Sequence, residues 1–102
     1  MSGASIRLAP GGELLLAGVL DYRSGPALRE AGGKLIGQHT AAALSLNCAA
    51  VEKSSSVGLA LLLAFMRDAQ AAGKSLVVRE LPTDMREIAQ VCGLTELLPL
   101  QA

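Results

Sequence analysis

The chain has 102 residues, the size of a single domain with one hydrophobic core, and we predict one domain over residues 1–102. Hydrophobic residues make up 51% of it and charged residues 18%, which excludes a disordered chain. Nine basic and nine acidic residues give a formal net charge of zero, and no basic cluster lies beside an aromatic residue, so nucleic acid is not an expected partner.

The first third of the chain predicts a hairpin followed by a helix. The segments SIRLA and ELLLAGVL are two apolar runs separated by the turn signal PGGE, which is typical of two antiparallel strands. A helix follows in DYRSGPALREAGGKLIGQH, where Ser24 or Gly25 can cap the N-terminus and Pro26 suits the first turn. Gly32 and Gly33 are expected to weaken this helix in its middle.

The remaining elements alternate between strand and helix. AALSLNCA predicts a buried strand, and a long helix follows from Ser56 to Ala72, ended by Gly73. KSLVVRE predicts another strand, PTDMREIAQVCG a helix that starts at Pro82 or Thr83, and LTELLPLQA a last short element. Crossover helices favour parallel neighbours, so we predict an α/β fold: a mixed β-sheet with helices packed against it.

The long helix carries an unusual surface. At 100° per residue, an apolar arc of about 200° is predicted to face the sheet, and it contains Leu59, Leu61, Leu62, Leu63, Phe65, Met66 and Ala69. The other arc is predicted to be exposed and contains Ser56, Val57, Ala60, Ala64 and Ala71. Charges appear only in the third turn, at Arg67 and Asp68. Because a solvated helix face usually carries charges from its first turn, this small, flat arc indicates contact with another protein.

Three serines precede this helix, and they allow two interpretations. One of Ser54, Ser55 and Ser56 can cap the helix, which stabilises it by ~1 kcal/mol, while the other two belong to the loop. Alternatively, a phosphate on one of them would be favoured by the positive end of the helix dipole. A catalytic serine is disfavoured because SSSVG is not G-x-S-x-G and His39 has no evident partner. We do not expect an enzyme.

The sequence also predicts the compartment. The apolar run from Val57 to Met66 is half the roughly 20 residues that a membrane helix needs, so no membrane span is expected. The start, MSGASIRLAPGGE, has no secretory signal pattern, which favours the cytoplasm. Cys48 and Cys92 lack metal-ligand spacing, so we expect no metal and no cofactor. Both cysteines are predicted to be buried thiols, with a disulfide as the alternative.

Three segments resemble one known family in order along the chain. LLLAGVLDYRSGPAL is similar to the L-x-G-x-L-D segment of STAS domains, SSSVGLALLL to their D-S/T-x-G-L segment, and TDMREIAQVCGLTELLPL to their closing helix and its G-L-x-x-x-x-P ending. The resemblance implies a STAS-type sheet with Ser56 at the family's hydroxyl position, since Gly58 and Leu59 match its G-L. The acidic residue that usually precedes the hydroxyl is replaced by Ser55.

Within the family, the short length and the string GLALLLAFMRDAQAAGK look most like the small subunit of phospholipid ABC transporters. That resemblance implies a cytoplasmic accessory protein, at the inner face of the inner membrane, that binds the transporter's ATPase subunit. The partner-binding residues are then predicted to be Ser55, Ser56, Val57, Ala60, Ala64 and Arg67. The alternative is an anti-sigma factor antagonist in which Ser56 is the phosphoacceptor, although the missing acidic residue disfavours kinase-dependent switching.

Overall fold

The computed structural model describes residues 4–94 and 100–101. Within them lie five strands and three helices, which in chain order are β1 (Ser5–Ala9), β2 (Glu13–Leu20), α1 (Gly25–Gln38), β3 (Ala43–Ser54), α2 (Ser56–Ala71), β4 (Ser75–Arg79), α3 (Thr83–Val91) and β5 (Leu100–Gln101). The predicted order of strands and helices is confirmed up to α3. Of the predicted last short element, residues 100–101 form β5, and residues 95–99 and 102 lie outside the described part.

The strands form one mixed sheet with the spatial order β1-β2-β3-β4-β5. β1 and β2 are antiparallel, whereas the later neighbours are parallel because each pair from β2 to β4 is joined through a helix. The hairpin turn depends on Gly11 and Gly12, whose φ angles of 82° and 81° strain residues with a Cβ atom. The predicted mixed sheet with packed helices is therefore confirmed.

The three helices cover one face of the sheet and form a single layer. α2 contacts α1 on one side and α3 on the other, as expected when successive right-handed crossovers advance in one direction across a sheet. Every second residue of β2 is buried under this layer, while the residues between are only half-buried. The fully buried side chains include Leu14, Leu16, Leu20, Ile36, Leu46, Leu62, Phe65 and Met85.

β3 is longer than its apolar sequence indicates. The strand was predicted to end near Ala49, but its parallel pairing with β2 continues to the Leu20↔Ser54 pair, through two irregularities of register. The polar end of β3 is thus held by backbone pairing to β2 rather than by burial of its side chains. As a result, Ser54 lies at the end of a strand and α2 begins two residues later.

The two cysteines lie in different environments. Cys48 is buried in the core, as predicted, and burial raises the pKa of its thiol to about 12. Cys92 is exposed, so the prediction that it is buried is wrong. It follows the last residue of α3, Val91, which is itself 88% exposed, so this end of the helix is not covered by the described residues. Both thiols are free.

Candidate protein-docking face

The second of the three serines caps α2. Ser55 has an extended backbone, its Oγ accepts a hydrogen bond from the Val57 N–H at 3.1 Å, and its own N–H donates to Leu20 O at 3.0 Å. The Ser54 hydroxyl donates to Ser55 O at 2.7 Å. Ser56 is the first helical residue; its side chain is exposed, and its hydroxyl makes no hydrogen bond within residues 4–94. Ser54 and Ser55 therefore shape the turn, whereas Ser56 presents a hydroxyl to solvent.

Gly58 allows three elements to meet at this turn. A Cβ atom on it would lie 2.0 Å from Ser54 Oγ, 3.1 Å from Met85 Cε and 3.2 Å from Leu20 Cδ1. The end of β3, the end of β2 and α3 all approach α2 closely here, so a side chain at this position requires its neighbours to shift. The glycine two residues after Ser56 thus has a packing role that holds the helix N-terminus in place.

A stripe of four residues runs along the solvent side of α2. Ser56, Ala60 and Arg67 are exposed. Leu63, which was predicted to face the sheet, is only half-buried and lies with them within about 60° at 100° per residue. We call Ser56, Ala60, Leu63 and Arg67 the exposed stripe. It is uncharged over its first two turns. Three of the predicted partner-binding residues, Ser56, Ala60 and Arg67, therefore share one accessible surface.

Ala64 does not belong to this surface, so its predicted exposure is wrong. It is 5% exposed because α1 lies alongside α2 on that side. The two helices approach closely: a Cβ atom on Gly32 would lie 2.4 Å from Phe65 Cε1, and one on Gly25 would lie 2.9 Å from Val57 Cγ1. Val57 is half-buried for the same reason. Gly32, which was expected only to weaken α1, is what permits this close packing.

An ion pair joins the same two helices further along. Arg29 on α1 binds Asp68 on α2 through both of its terminal nitrogens, with Nη2 to Oδ1 at 3.1 Å. The sequence interpretation placed Asp68 among the solvated charges of α2. Instead its carboxylate is held between the helices and is 24% exposed.

Sequence analysis missed the loop between β2 and α1. Asp21 Oδ1 accepts hydrogen bonds from the N–H groups of Arg23 at 2.9 Å and Ser24 at 3.2 Å, and Ser24 Oγ donates to Val19 O at 2.8 Å. These bonds fix the loop and leave Tyr22 71% exposed. Arg23 lies over the Tyr22 ring, with its guanidinium carbon 5.5 Å from the ring centre. The available signal was an aromatic side chain, the only tyrosine of the chain, inside a turn sequence.

An apolar groove connects this loop with the exposed stripe. It has a volume of about 330 Å³ and lies between the N-terminal halves of α1 and α2. Its lining residues are Tyr22, Gly25, Pro26, Arg29, Val57, Ala60 and Leu61. We call it the α1–α2 groove. Since Ala60 belongs to both, the groove and the exposed stripe form one continuous surface.

The geometry offers little for catalysis at Ser56. His39 follows the C-terminus of α1, and its Nδ1 accepts a hydrogen bond from the Ala41 N–H at 3.0 Å. Because α1 and α2 run in the same direction, His39 lies at the opposite end of the helical layer from Ser56. Residues 4–94 contain no group of three or more His, Cys, Asp or Glu side chains that could hold a metal ion. No described helix is long and apolar enough to cross a bilayer.

The fold is that of a class of protein, the STAS domain, whose family model matches this chain. An anti-sigma factor antagonist from Mycobacterium paratuberculosis has the same fold, with a TM-score of 0.76 and 24% identity over 98% of this chain and 85% of that one. The unphosphorylated anti-sigma factor antagonist SpoIIAA is similar at a TM-score of 0.73 and 18% identity, over 98% of this chain and 89% of that one.

The family model described as "Mlab, STAS domain" matches residues 7–99, and the chain belongs to this family. It is also similar to a chain of the Acinetobacter MlaFEDB complex in an ATP-bound conformation, with a TM-score of 0.79 and 25% identity. That similarity covers 93% of this chain and 99% of the other. None of the curated protein sequences matches this chain. The resemblance to STAS domains of the MlaB type is thus confirmed.

Proposed function

We propose that the chain acts as one STAS domain over residues 1–102 and is an accessory subunit of an Mla-type phospholipid ABC transporter. The observation that carries this proposal is the similarity, at 25% identity over 93% of the chain, to a chain of the MlaFEDB complex. In this role it binds the ATPase subunit, MlaF, within a complex that also contains permease and substrate-binding subunits. It supports assembly and activity of that complex, which maintains outer-membrane lipid asymmetry.

The proposed contact is the surface formed by the exposed stripe and the α1–α2 groove. Ser56 and Ala60 are small and exposed, so a partner can approach the helix closely there, and the groove adds an apolar floor. Ser55 contributes by fixing the helix N-terminus and Val57 by lining the groove. The role requires no chemistry at this surface, and it places the chain at the cytoplasmic side of the inner membrane through its partner. We infer that the chain is not an enzyme.

The second candidate is an anti-sigma factor antagonist switched by phosphorylation of Ser56. The observation that favours it is the exposed Ser56 hydroxyl at a helix N-terminus, where a phosphate is stabilised by the N–H groups and the helix dipole. Ser55 stands against it, because the family's acidic residue is replaced there by a serine whose oxygen caps the helix. The transporter role is therefore preferred.

Co-purification with the ATPase subunit tests the proposed function. The wild-type chain is expected to form a stable complex, and Ser56→Arg and Ala60→Glu are expected to lose it while melting like the wild type. Ala31→Glu is the matched control, because Ala31 is an exposed alanine on the side of α1 turned away from α2. A wild-type chain that fails to bind the ATPase subunit contradicts the proposal. Phosphorylation of Ser56 by an ATP-dependent kinase partner, detected by mass spectrometry, would support the antagonist instead.

A further inference from the structure

Two arginines on the same surface as the α1–α2 groove form no ion pair with the described residues. Within residues 4–94 the ion pairs are Arg29 with Asp68 and Lys34 with Glu30. Arg23 belongs to neither pair; it adjoins Tyr22, which forms one wall of the groove. Arg67 also belongs to neither pair and lies about two turns beyond Ala60 on the exposed stripe. The two guanidinium groups therefore lie on the surface that contains the groove, and neither forms an ion pair within the described residues.

The nearby carboxylates are already engaged. Asp21 accepts two backbone hydrogen bonds that shape its loop, and Asp68 is bound by both terminal nitrogens of Arg29. Neither carboxylate forms an ion pair with Arg23 or Arg67 within residues 4–94. This surface carries the guanidinium groups of Arg23, Arg29 and Arg67 against the carboxylates of Asp21 and Asp68, so it has one positive charge in excess around an apolar floor. A complementary partner must therefore supply both an apolar group and negative charge.

We propose that the α1–α2 groove accepts one large apolar side chain of the partner, and that carboxylates beside it in the partner's sequence pair with Arg23 and Arg67. The proposal rests on the proposed function and specifies the chemistry of the segment that the ATPase subunit presents. A volume of about 330 Å³ suits a single aromatic or branched aliphatic anchor rather than a whole helix. Such anchors, buried at the centre of a contact and ringed by charges, provide most of the binding energy of typical interfaces.

A second copy of this chain fits the same surface less well. In a symmetric dimer through the groove, the surface that carries Arg23 and Arg67 would face the same surface of the second copy. Like charges across an interface oppose association. Asp21 and Asp68, near the groove, already accept hydrogen bonds within the chain, and the surface keeps one more guanidinium group than carboxylates. The charge pattern therefore favours an acidic partner protein over self-association.

The charge half of the proposal is tested by measuring the affinity of the purified chain for the ATPase subunit at low and high salt, about 50 and 300 mM. The wild-type affinity is expected to fall as salt rises. Arg23→Glu and Arg67→Glu are expected to weaken binding by about tenfold or more at low salt and to flatten the salt dependence. Arg86→Glu, an exposed arginine on α3, is the control and should stay within about twofold of the wild type. Salt-independent binding that neither reversal changes would overturn this half.

The claim that the groove accepts an apolar side chain of the partner is tested by filling or opening the α1–α2 groove. Ala60→Trp should block the groove and Tyr22→Ala should remove one wall, each weakening binding by about tenfold or more, whereas Ala31→Trp should leave binding unchanged. Both changed residues are exposed, and Tyr22 lies outside the helices, so the fold is expected to be kept. Wild-type affinity in both variants would overturn the anchor.

The outcomes separate this proposal from the proposed function. A wild-type chain that does not bind the ATPase subunit removes both. A chain that binds it normally but tolerates the charge reversals and the groove variants removes only the acidic-segment proposal. Concentration-dependent dimers in sedimentation analysis that disappear in Ala60→Trp would identify a second copy as the occupant, and would also overturn it.

Discussion

Ala60 and Ala64 are one turn apart on α2, yet they belong to different parts of the molecule. Ala60 is exposed beside the groove, while Ala64 is 5% exposed beneath α1. The two sides of the helix thus differ: one side is packed against α1 and stabilises the fold, and the other is exposed to solvent. The second helix of a layer is buried on two sides, so a single apolar arc does not describe it.

The largest expected effect on stability is that of a charge placed on the packed side of α2. Ala64→Glu places a carboxylate between α1 and α2, where it must be desolvated without a partner, and we expect the free energy of unfolding to fall by about 3 kcal/mol or more. Denaturant unfolding measures this loss. Ala60→Glu is the paired control and should change stability by less than about 0.5 kcal/mol. Similar losses in both variants would show that the two sides are not distinct.

A smaller effect is expected where the two helices touch most closely. In Gly32→Ala the new methyl group would lie 2.4 Å and 2.5 Å from Phe65 Cε1 and Cζ, on a ring that is 0% exposed. Overpacking should outweigh the better helix propensity of alanine and lower stability by about 1–2 kcal/mol. Gly37→Ala, on the same helix, meets nothing within 4 Å and should stabilise by up to about 1 kcal/mol. Equal shifts of melting temperature in the two variants would contradict this packing.

The ion pair across the two helices should matter less. Arg29 and Asp68 have side chains that are 45% and 24% exposed, so solvent screens their attraction. A double-mutant cycle of Arg29→Ala and Asp68→Ala is expected to give a coupling of about 0.5–1 kcal/mol that declines with salt. A coupling well above that range would mean that the pair, rather than apolar packing, holds the helices together.

The smallest expected effect concerns the two cysteines, which report on the same difference between buried and exposed positions. At pH 8 a thiol reagent should modify exposed Cys92 quickly and buried Cys48 only after unfolding, because burial raises the pKa of Cys48 to about 12. The contribution of Cys48 to stability is complete below its ordinary pKa of 9.0 and is lost as pH rises toward 12. Reaction of both thiols at one rate in the native chain would contradict the burial of Cys48. Ala64→Glu should accelerate only the slower reaction.

The order of elements was predictable because the local signals agreed. PGGE between two apolar runs predicted the hairpin, and Pro26 marked the start of α1. Ser56 was correctly predicted as the first residue of α2, because serines directly before an apolar run mark a helix N-terminus. Periodicity and capping act over a few residues and are therefore visible in the sequence.

The rest depended on contacts between distant residues. Nothing local indicates that α1 would cover Ala64, because that contact arises from Gly32 and Phe65, which are far apart in the chain. The groove likewise needs Tyr22 and Val57 to meet across two elements. The burial predicted for Cys92 failed because it lies just beyond the end of α3, where no described element covers it. The sequence predicted that one of the three serines caps α2, but only the structure shows that this residue is Ser55.

Site-specific photo-crosslinking in the assembled complex can show whether the exposed stripe and the α1–α2 groove are the surface that meets the partner. A photoreactive p-benzoylphenylalanine replaces Ala60 in one variant and Ala31 in another, since both alanines are exposed but lie on different sides of the helical layer. We expect a crosslink to the ATPase subunit from position 60 and none from position 31. A crosslink from position 31 alone would contradict this expectation and place the contact elsewhere.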